Sequence, residues 1–385
     1  MHSDRDSSSP DIFLGLMSGT SIDSVDAVAV TFERNKLSVL GAITYEIPDS
    51  LRNDILALSK PGNDSVNLVA KTDIRLGQLF ADASLQLISD INIDPNKIVA
   101  IGSHGQTIRH QPPSEENGFS VQLGDPNVIA ANTGCAVVAD FRRADLAAGG
   151  QGAPLVPAFH DFLFHSPGKT RIIINIGGIA NITILSGDGK CFGFDTGPGN
   201  LLLDAWCQQH LKQPYDDCGS WSEQGEINYL LLNKLLDNPF FHQAPPKSTG
   251  REIFNLHWLT EQLEGHSLSS EDVQATLTAL TARSIVNSIA ELSIDIHGLY
   301  ICGGGAFNEA LVRTINSYLQ EHKYPASELT SDIGLDPKWV EACAFAWLAK
   351  QRLDGNPGNL PLVTGASRPV MLGGVYLPST ALDRK

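Results

Sequence analysis

The chain of 385 residues contains no apolar run near the roughly 18 residues that a membrane-crossing helix needs, so no membrane partner is expected. Cysteine is scarce. The six present (Cys135, Cys191, Cys207, Cys218, Cys302, Cys343) lie far apart with no CxxC pair, which argues against a zinc site or a disulfide framework. Buried, reduced thiols in a cytoplasmic protein are the expectation. Positive charge is also in deficit: 27 Lys and Arg stand against 43 Asp and Glu, for a net charge of −16. Such a field repels phosphate backbones and disfavours nucleic acid, though a local site can still hold one nucleotide. Three signatures are missing as well. No GxxxxGK[ST] occurs, so there is no P-loop. Asn308 stands where a GxGxxG starting at Gly303 needs its third glycine, which disfavours a Rossmann site. Only one Asp-Thr-Gly occurs, whereas an aspartic protease needs two.

What is present describes a folded globular protein: 42% of residues are hydrophobic and 18% charged, and the length points to two large domains. Residues 1–10 (MHSDRDSSSP) are polar, without the apolar segment of a signal peptide, and read as a disordered tail. Ile12–Met17 reads as a buried strand, followed by a small-residue turn and a second strand, Val25–Phe32. The same device recurs at Arg171–Ile176, Gly177-Gly178 and Ile179–Leu185. Residues 64–90 carry apolar positions at Leu68, Ile74, Leu79, Leu85 and Ile88, mostly at helical spacing. Short strands are expected at 97–101, 136–139 and 299–302, with helices at 201–209, about 308–319 and about 339–352. Ser269 with Asp272 marks a further helix start. Ala148–Pro154 (AGGQGAP) reads as a flexible join. Strands alternating with helices, plus two hairpins, give an α/β protein with mixed sheets.

Several motifs could carry chemistry, and each has a plainer alternative. In MSGTSIDSVD, Gly19 permits close backbone approach, while successive N–H groups and hydroxyls can donate to phosphate oxygens. Asp23 and Asp26 could hold a hydrated Mg²⁺, directly or through water. An ordinary polar hairpin turn would use the same residues. Gly177-Gly178 would allow positive φ and close approach, or simply form a tight turn. Gly303-Gly304-Gly305, between a strand and a helix, leaves room for a ring or ribose, or merely connects the two. Asp195 in FDTGPGN suits a general base at a strand end, although an Asp in a glycine turn commonly stabilises the turn itself. His104 and Gln106 follow one strand, and Asp140 and Arg142 another, positions where ligands gather in open sheets. Loop solvation and internal salt bridges explain the same residues. Glu341 opens the helix EACAFAWLA, where it could serve a site or the helix dipole.

The order of these motifs resembles the actin, sugar-kinase and Hsp70 type of ATPase. More closely, FLGLMSGTSIDSVDAVAV, SHGQTIRH, DFRRADLAAGGQGAPLVP, INIGGIANIT, GFDTGPGN, ICGGGAFN and EACAFAWLA resemble the anhydro-N-acetylmuramic acid kinase family from about residue 12 to 377. Ser24 departs from the glycine usual in the family, which is tolerable if its φ is negative.

The resemblance implies two actin-like domains of similar topology with ATP in the interdomain cleft: 11–147, completed by 362–380, and 148–361. It implies ring opening of 1,6-anhydro-N-acetylmuramic acid and phosphorylation of O6, using ATP, Mg²⁺ and water, in peptidoglycan recycling. On this reading Asp195 activates water. Gly19, Thr20, Ser21, Ile22, Asp23, Ser24, Val25 and Asp26 form the phosphate loop, with Gly177 and Gly178 as a second phosphate hairpin. Gly303, Gly304, Gly305 and Asn308 lie by the adenosine. His104, Gln106, Asp140, Arg142, Gln151 and Glu341 face the sugar and its lactyl carboxylate. A homodimer follows by superfamily analogy. Two other readings compete: a kinase of the same superfamily acting on an ordinary hydroxyl, and an ATP-switched binding protein. For the latter, no separate peptide-binding domain or basic helix-turn-helix is legible.

Overall fold

A computed structural model describes residues 10–19, 21–33, 36–62, 65–113 and 118–378. The proposed tail, apart from Pro10, and Thr20 lie outside the described residues. Among the described residues thirteen strands run in chain order: β1 Ile12–Met17, β2 Ser24–Glu33, β3 Lys36–Glu46, β4 Ile98–Ser103, β5 Gln106–Gln111, β6 Phe119–Leu123, β7 Val137–Ala139, β8 Arg171–Ile176, β9 Ile179–Leu185, β10 Cys191–Pro198, β11 Gly298–Cys302, β12 Ser327–Leu329 and β13 Gly374–Tyr376. No described helix is long and apolar enough to cross a membrane. The chain packs as two compact units: one takes residues up to Leu163 and those from Glu341 onward, the other Phe164–Val340.

In the first unit a six-stranded sheet has the order β13-β7-β4-β1-β2-β3. β1, β2 and β3 form an antiparallel meander, while β4 runs parallel to β1, and β7 parallel to β4. The second unit repeats the device as β10-β9-β8-β11-β12: an antiparallel meander from β8, with β11 parallel to β8 and β12 parallel to β11. The consecutive Ile172, Ile173 and Ile174 are fully buried, as expected where both faces of a sheet are covered.

In the first unit the helix Val340–Asp354 lies unusually close to the sheet. A Cβ on Gly15 would sit 1.9 Å from the Ala342 carbonyl oxygen, and one on Gly102 2.0 Å from that of Phe345. Two glycines on β1 and β4 thus set the depth of the helix, and its first turn carries Glu341.

The helix Val66–Asp90 corrects one expectation. Its buried residues include Leu76, Leu79, Phe80, Ala83, Leu87 and Ile88, whereas Ile74 and Leu85 are exposed at 54% and 40%. The true stripe keeps the i, i+3, i+4, i+7 spacing from Leu76, and Ile74 and Leu85 fall off it. The thiols need a second correction: five are buried, but Cys218 is exposed. Ala148–Pro154, expected as a flexible join, is pinned at Gly150, Gln151 and Gly152 by backbone hydrogen bonds.

Candidate active site

In the first unit the strands β1, β4 and β7 are parallel, so Ser18, His104 and Asp140 emerge at one end of one sheet. Ser18 is buried, with Oγ 2.6 Å from Gln106 Oε1 and 3.1 Å from the Ser24 carbonyl oxygen. The turn between β1 and β2 is thereby tied to the start of β5. Gly19 has open space where a Cβ would stand, but among the described residues of the turn the left-handed one is Ile22 (φ 57). Ile22 and Val25 bury their side chains in the core, so only their backbones can meet a ligand. Ser24 is outside the positive-φ residues. Asp23 is exposed and accepts hydrogen bonds from Ser21 Oγ (2.6 Å) and Ser24 Oγ (3.4 Å). Asp26 lies within β2 and accepts from Thr44 Oγ1 at 2.8 Å.

Arg142 organises the neighbouring cluster. Its Nε and Nη2 reach His104 Nε2 at 3.1 and 2.8 Å, and its Nη1 donates to the Gly152 carbonyl at 2.9 Å. Two guanidinium contacts on Nε2 make it an acceptor, so His104 is neutral with its proton on Nδ1. Burial first, and the Arg142 charge second, hold its pKa well below the ordinary value. Burial also lowers the pKa of Arg142 to about 10, opposed by Glu341 and then Asp145. Asp145, inside the quoted DFRRADLAAGGQGAPLVP motif but not singled out, is the fully buried fastener here. Its Oδ2 accepts from the Gly152 N–H at 2.8 Å, and its Oδ1 from Asn359 Nδ2 (2.6 Å) and Thr364 Oγ1 (2.7 Å). Gln151 is held by its N–H to the Thr364 carbonyl. Asp140 takes a left-handed backbone (φ 62) and pairs with Arg143 Nε at 3.4 Å, not with Arg142. Burial raises its pKa.

In the second unit β8 and β11 are parallel neighbours with Asn175 opposite Cys302, which puts Gly177-Gly178 beside Gly303–Gly305. Gly303 adopts φ 81, and a Cβ there would sit 2.5 Å from Asn175 Oδ1, so this position requires glycine. Gly177 and Gly178 do not take positive φ, contrary to the expected use of the pair. Instead their carbonyls accept the N–H groups of Gly199, Asn200 and Leu201, which open the helix Asn200–Leu211. Asn200, inside the quoted FDTGPGN motif but not singled out, donates from Nδ2 to the Ile176 carbonyl at 3.3 Å. Asn308 caps the helix Glu309–Glu321, accepting the Leu311 N–H at 3.0 Å.

Asp195 lies on β10, opposite Asn181, immediately before a register shift that leaves Thr196 as the extra residue. Bulges re-aim side chains at such positions. The Thr249 N–H donates to Asp195 Oδ2 at 3.0 Å, and Oδ1 has no hydrogen-bond partner among the described residues. Burial lifts the Asp195 pKa to about 7; the Thr249 bond lowers it and Glu252 adds to the rise. Lys247, also unforeseen, is 6% exposed, and its carbonyl accepts the Asp195 N–H at 3.1 Å. Nothing in the sequence around Lys247 marks it as buried. Among the described residues no cluster of three or more His, Cys, Asp or Glu forms a metal cage.

A strand-borne carboxylate whose pKa is raised by burial, with one oxygen held and one open, is an arrangement suited to acid–base chemistry. The family model for anhydro-N-acetylmuramic acid kinase matches residues 11–378. A relative of that name from Shewanella pealeana is 51% identical over 367 residues, covering 94% of this chain and 98% of its own. One from Coxiella burnetii is 48% identical over 366 residues, covering 94% and 97%. Among solved structures, the ADPNP-bound activator of 2-hydroxyisocaproyl-CoA dehydratase from Clostridium difficile is similar over 89% of this chain and 97% of its own, with 11% identity and a TM-score of 0.42. The chain belongs to the anhydro-N-acetylmuramic acid kinase family.

Proposed function

We propose that the protein opens the 1,6-anhydro ring of anhydro-N-acetylmuramic acid with water and transfers the γ-phosphoryl group of ATP to O6. The product is N-acetylmuramate 6-phosphate, made in the cytoplasm during peptidoglycan recycling. Asp195 carries this reading. A base that works at neutral pH needs a pKa near the working pH, and burial brings Asp195 to about 7. With Oδ2 fixed by Thr249, Oδ1 is the oxygen that takes the proton from water. The oxygen of that water bonds to C1, the C1–O6 bond breaks, and its electron pair stays on O6. O6 then attacks the γ-phosphorus, ADP leaves, and the proton on Asp195 passes to solvent.

Phosphoryl transfer depends mainly on positioning and charge neutralisation. The open backbone at Gly19 and the hydroxyls of Ser21 and Ser24 suit phosphate oxygens. Mg²⁺ needs only one or two protein carboxylates, and the exposed Asp23, with Asp26 through water, fits a hydrated ion. Bound there, the ion would neutralise phosphate charge. Arg142 is the group best suited to the lactyl carboxylate, because a guanidinium binds carboxylate with two parallel donors.

The test is incubation with ATP, Mg²⁺ and the anhydro-sugar, followed by mass spectrometry. The expected product carries one phosphoryl group and one added water relative to the sugar. A phosphorylated sugar that retains the anhydro ring, or phosphorylation of free hexoses alone, moves the reading to an ordinary sugar kinase. Slow ATP hydrolysis without any phosphosugar moves it to a nucleotide switch.

A further inference from the structure

Lys247 is a lysine that the proposed chemistry does not use and that the fold nevertheless buries. It is 6% exposed and makes no ion pair among the described residues. Its Nζ donates to the Phe241 carbonyl at 3.2 Å and the Phe240 carbonyl at 3.4 Å, and stands 4.9 Å from the centre of the Phe240 ring. A buried ammonium without a carboxylate partner is costly, so a chain that keeps one gains something else from it. Three connections converge on this residue. Its carbonyl accepts the Asp195 N–H. Two residues further on, the Thr249 N–H holds Asp195 Oδ2. The Phe241 ring lies against Gly197, where a Cβ would sit 2.6 Å from Phe241 Cε1, beside the register shift of β10.

We propose that Lys247 is a positioning residue for Asp195: by tethering its own loop to the Phe240-Phe241 turn, it fixes both the Thr249 donor and the bulged backbone that aim the carboxylate. The inference rests on Asp195 acting as the base. Glu252 is the other charged group facing Asp195, and Glu291 the one facing Lys247. Arg carries the same charge and can reach the same two carbonyls, whereas Met fills similar volume without donating.

The experiment compares Lys247→Met, Lys247→Arg, Thr249→Pro and Asp195→Asn by the pH dependence of kcat, with ATP and the anhydro-sugar saturating. Loss of the Thr249 bond removes a contact that favours the charged carboxylate, so the acid limb moves to higher pH. For Lys247→Met the expectation is a limb raised by at least half a pH unit and kcat reduced about tenfold at pH 7. KM for ATP changes by less than twofold, and Lys247→Arg restores most of the rate. Thr249→Pro deletes the donor while leaving Lys247 in place, and it should raise the limb in the same way. If Lys247→Met does not fold, an unmoved limb in Thr249→Pro still overturns the route through Thr249 by which Lys247 is proposed to act. An unmoved acid limb in Lys247→Met overturns the positioning role. Full activity in Asp195→Asn overturns the reading of Asp195 itself, a separate outcome.

Discussion

The two meanders begin with the same device, a strand, a small-residue turn and a return strand, yet the turns are built for opposite purposes. In the first unit the turn between β1 and β2 lines itself with side chains. The Ser21 and Ser24 hydroxyls both donate to the Asp23 carboxylate, and Gly19 faces open space. In the second, the carbonyls of Gly177 and Gly178 accept the first N–H groups of the helix Asn200–Leu211, so the turn serves as a helix anchor. One strand order therefore tolerates an open turn and a scaffolding turn, and only the side chains tell them apart. The charged centres differ likewise. Arg142 is buried against the carboxylates Glu341 and Asp145, whereas Lys247 is buried against carbonyls and rings.

The sharpest break in that comparison is Asp195→Asn. Removal of a general base lowers kcat by about 10²–10⁴-fold, with the circular dichroism spectrum unchanged. Loss of activity in wild type as pH falls below about 7, where Asp195 takes up its proton, belongs to the same account. Next is Arg142→Met. Loss of a charged hydrogen bond costs about 1.5–3 kcal/mol, so KM for the sugar should rise roughly 10- to 100-fold while KM for ATP stays put.

The pH dependence of stability sharpens the contrast in the second unit. The folded-state pKa of Asp195 lies above the unfolded value, so its stabilising contribution is complete below about pH 4 and is lost as pH rises through about 7. Asp195→Asn should therefore melt at a higher temperature than wild type at pH 8, with the difference closing at pH 4; a constant difference would refute the burial argument. Asn308→Ala should cost about 1 kcal/mol in urea unfolding through loss of the cap, and Asn308→Ser much less. An ATP KM unchanged in Asn308→Ser would remove that side chain from the nucleotide site. Smallest is Ser24→Gly, the residue usual in the family. Because Ser24 needs no left-handed backbone, kcat should stay within about twofold and stability within about 0.5 kcal/mol.

Much of this was legible from residue pattern. The strand limits Ile12–Met17, Arg171–Ile176 and Ile179–Leu185 follow from apolar runs ended by small-residue turns. The Ser269 cap follows from its spacing to Asp272, whose N–H it accepts at 3.1 Å. Long-range geometry was not legible. β10 runs through the Asp-Thr-Gly that turn chemistry would place in a loop, because pairing with β9 overrides local preference. Asp145 and Lys247 carry no local mark, since their roles depend on Thr364, Asn359 and Phe241, residues distant in sequence or held by a turn that only the fold creates. Ile74 looked like core because it is apolar, but the helix phase is set by Leu76, Phe80 and Leu87.

The central claim is that Asp195 delivers water to C1 in the same turnover that phosphorylates O6. Turnover of the anhydro-sugar with ATP in ¹⁸O-labelled water, read by mass spectrometry, tests it directly. The account predicts a phosphosugar with one solvent oxygen on C1 from the wild-type chain, and none from Asp195→Asn. A phosphosugar without the label, or labelled product at the wild-type rate from Asp195→Asn, would contradict it.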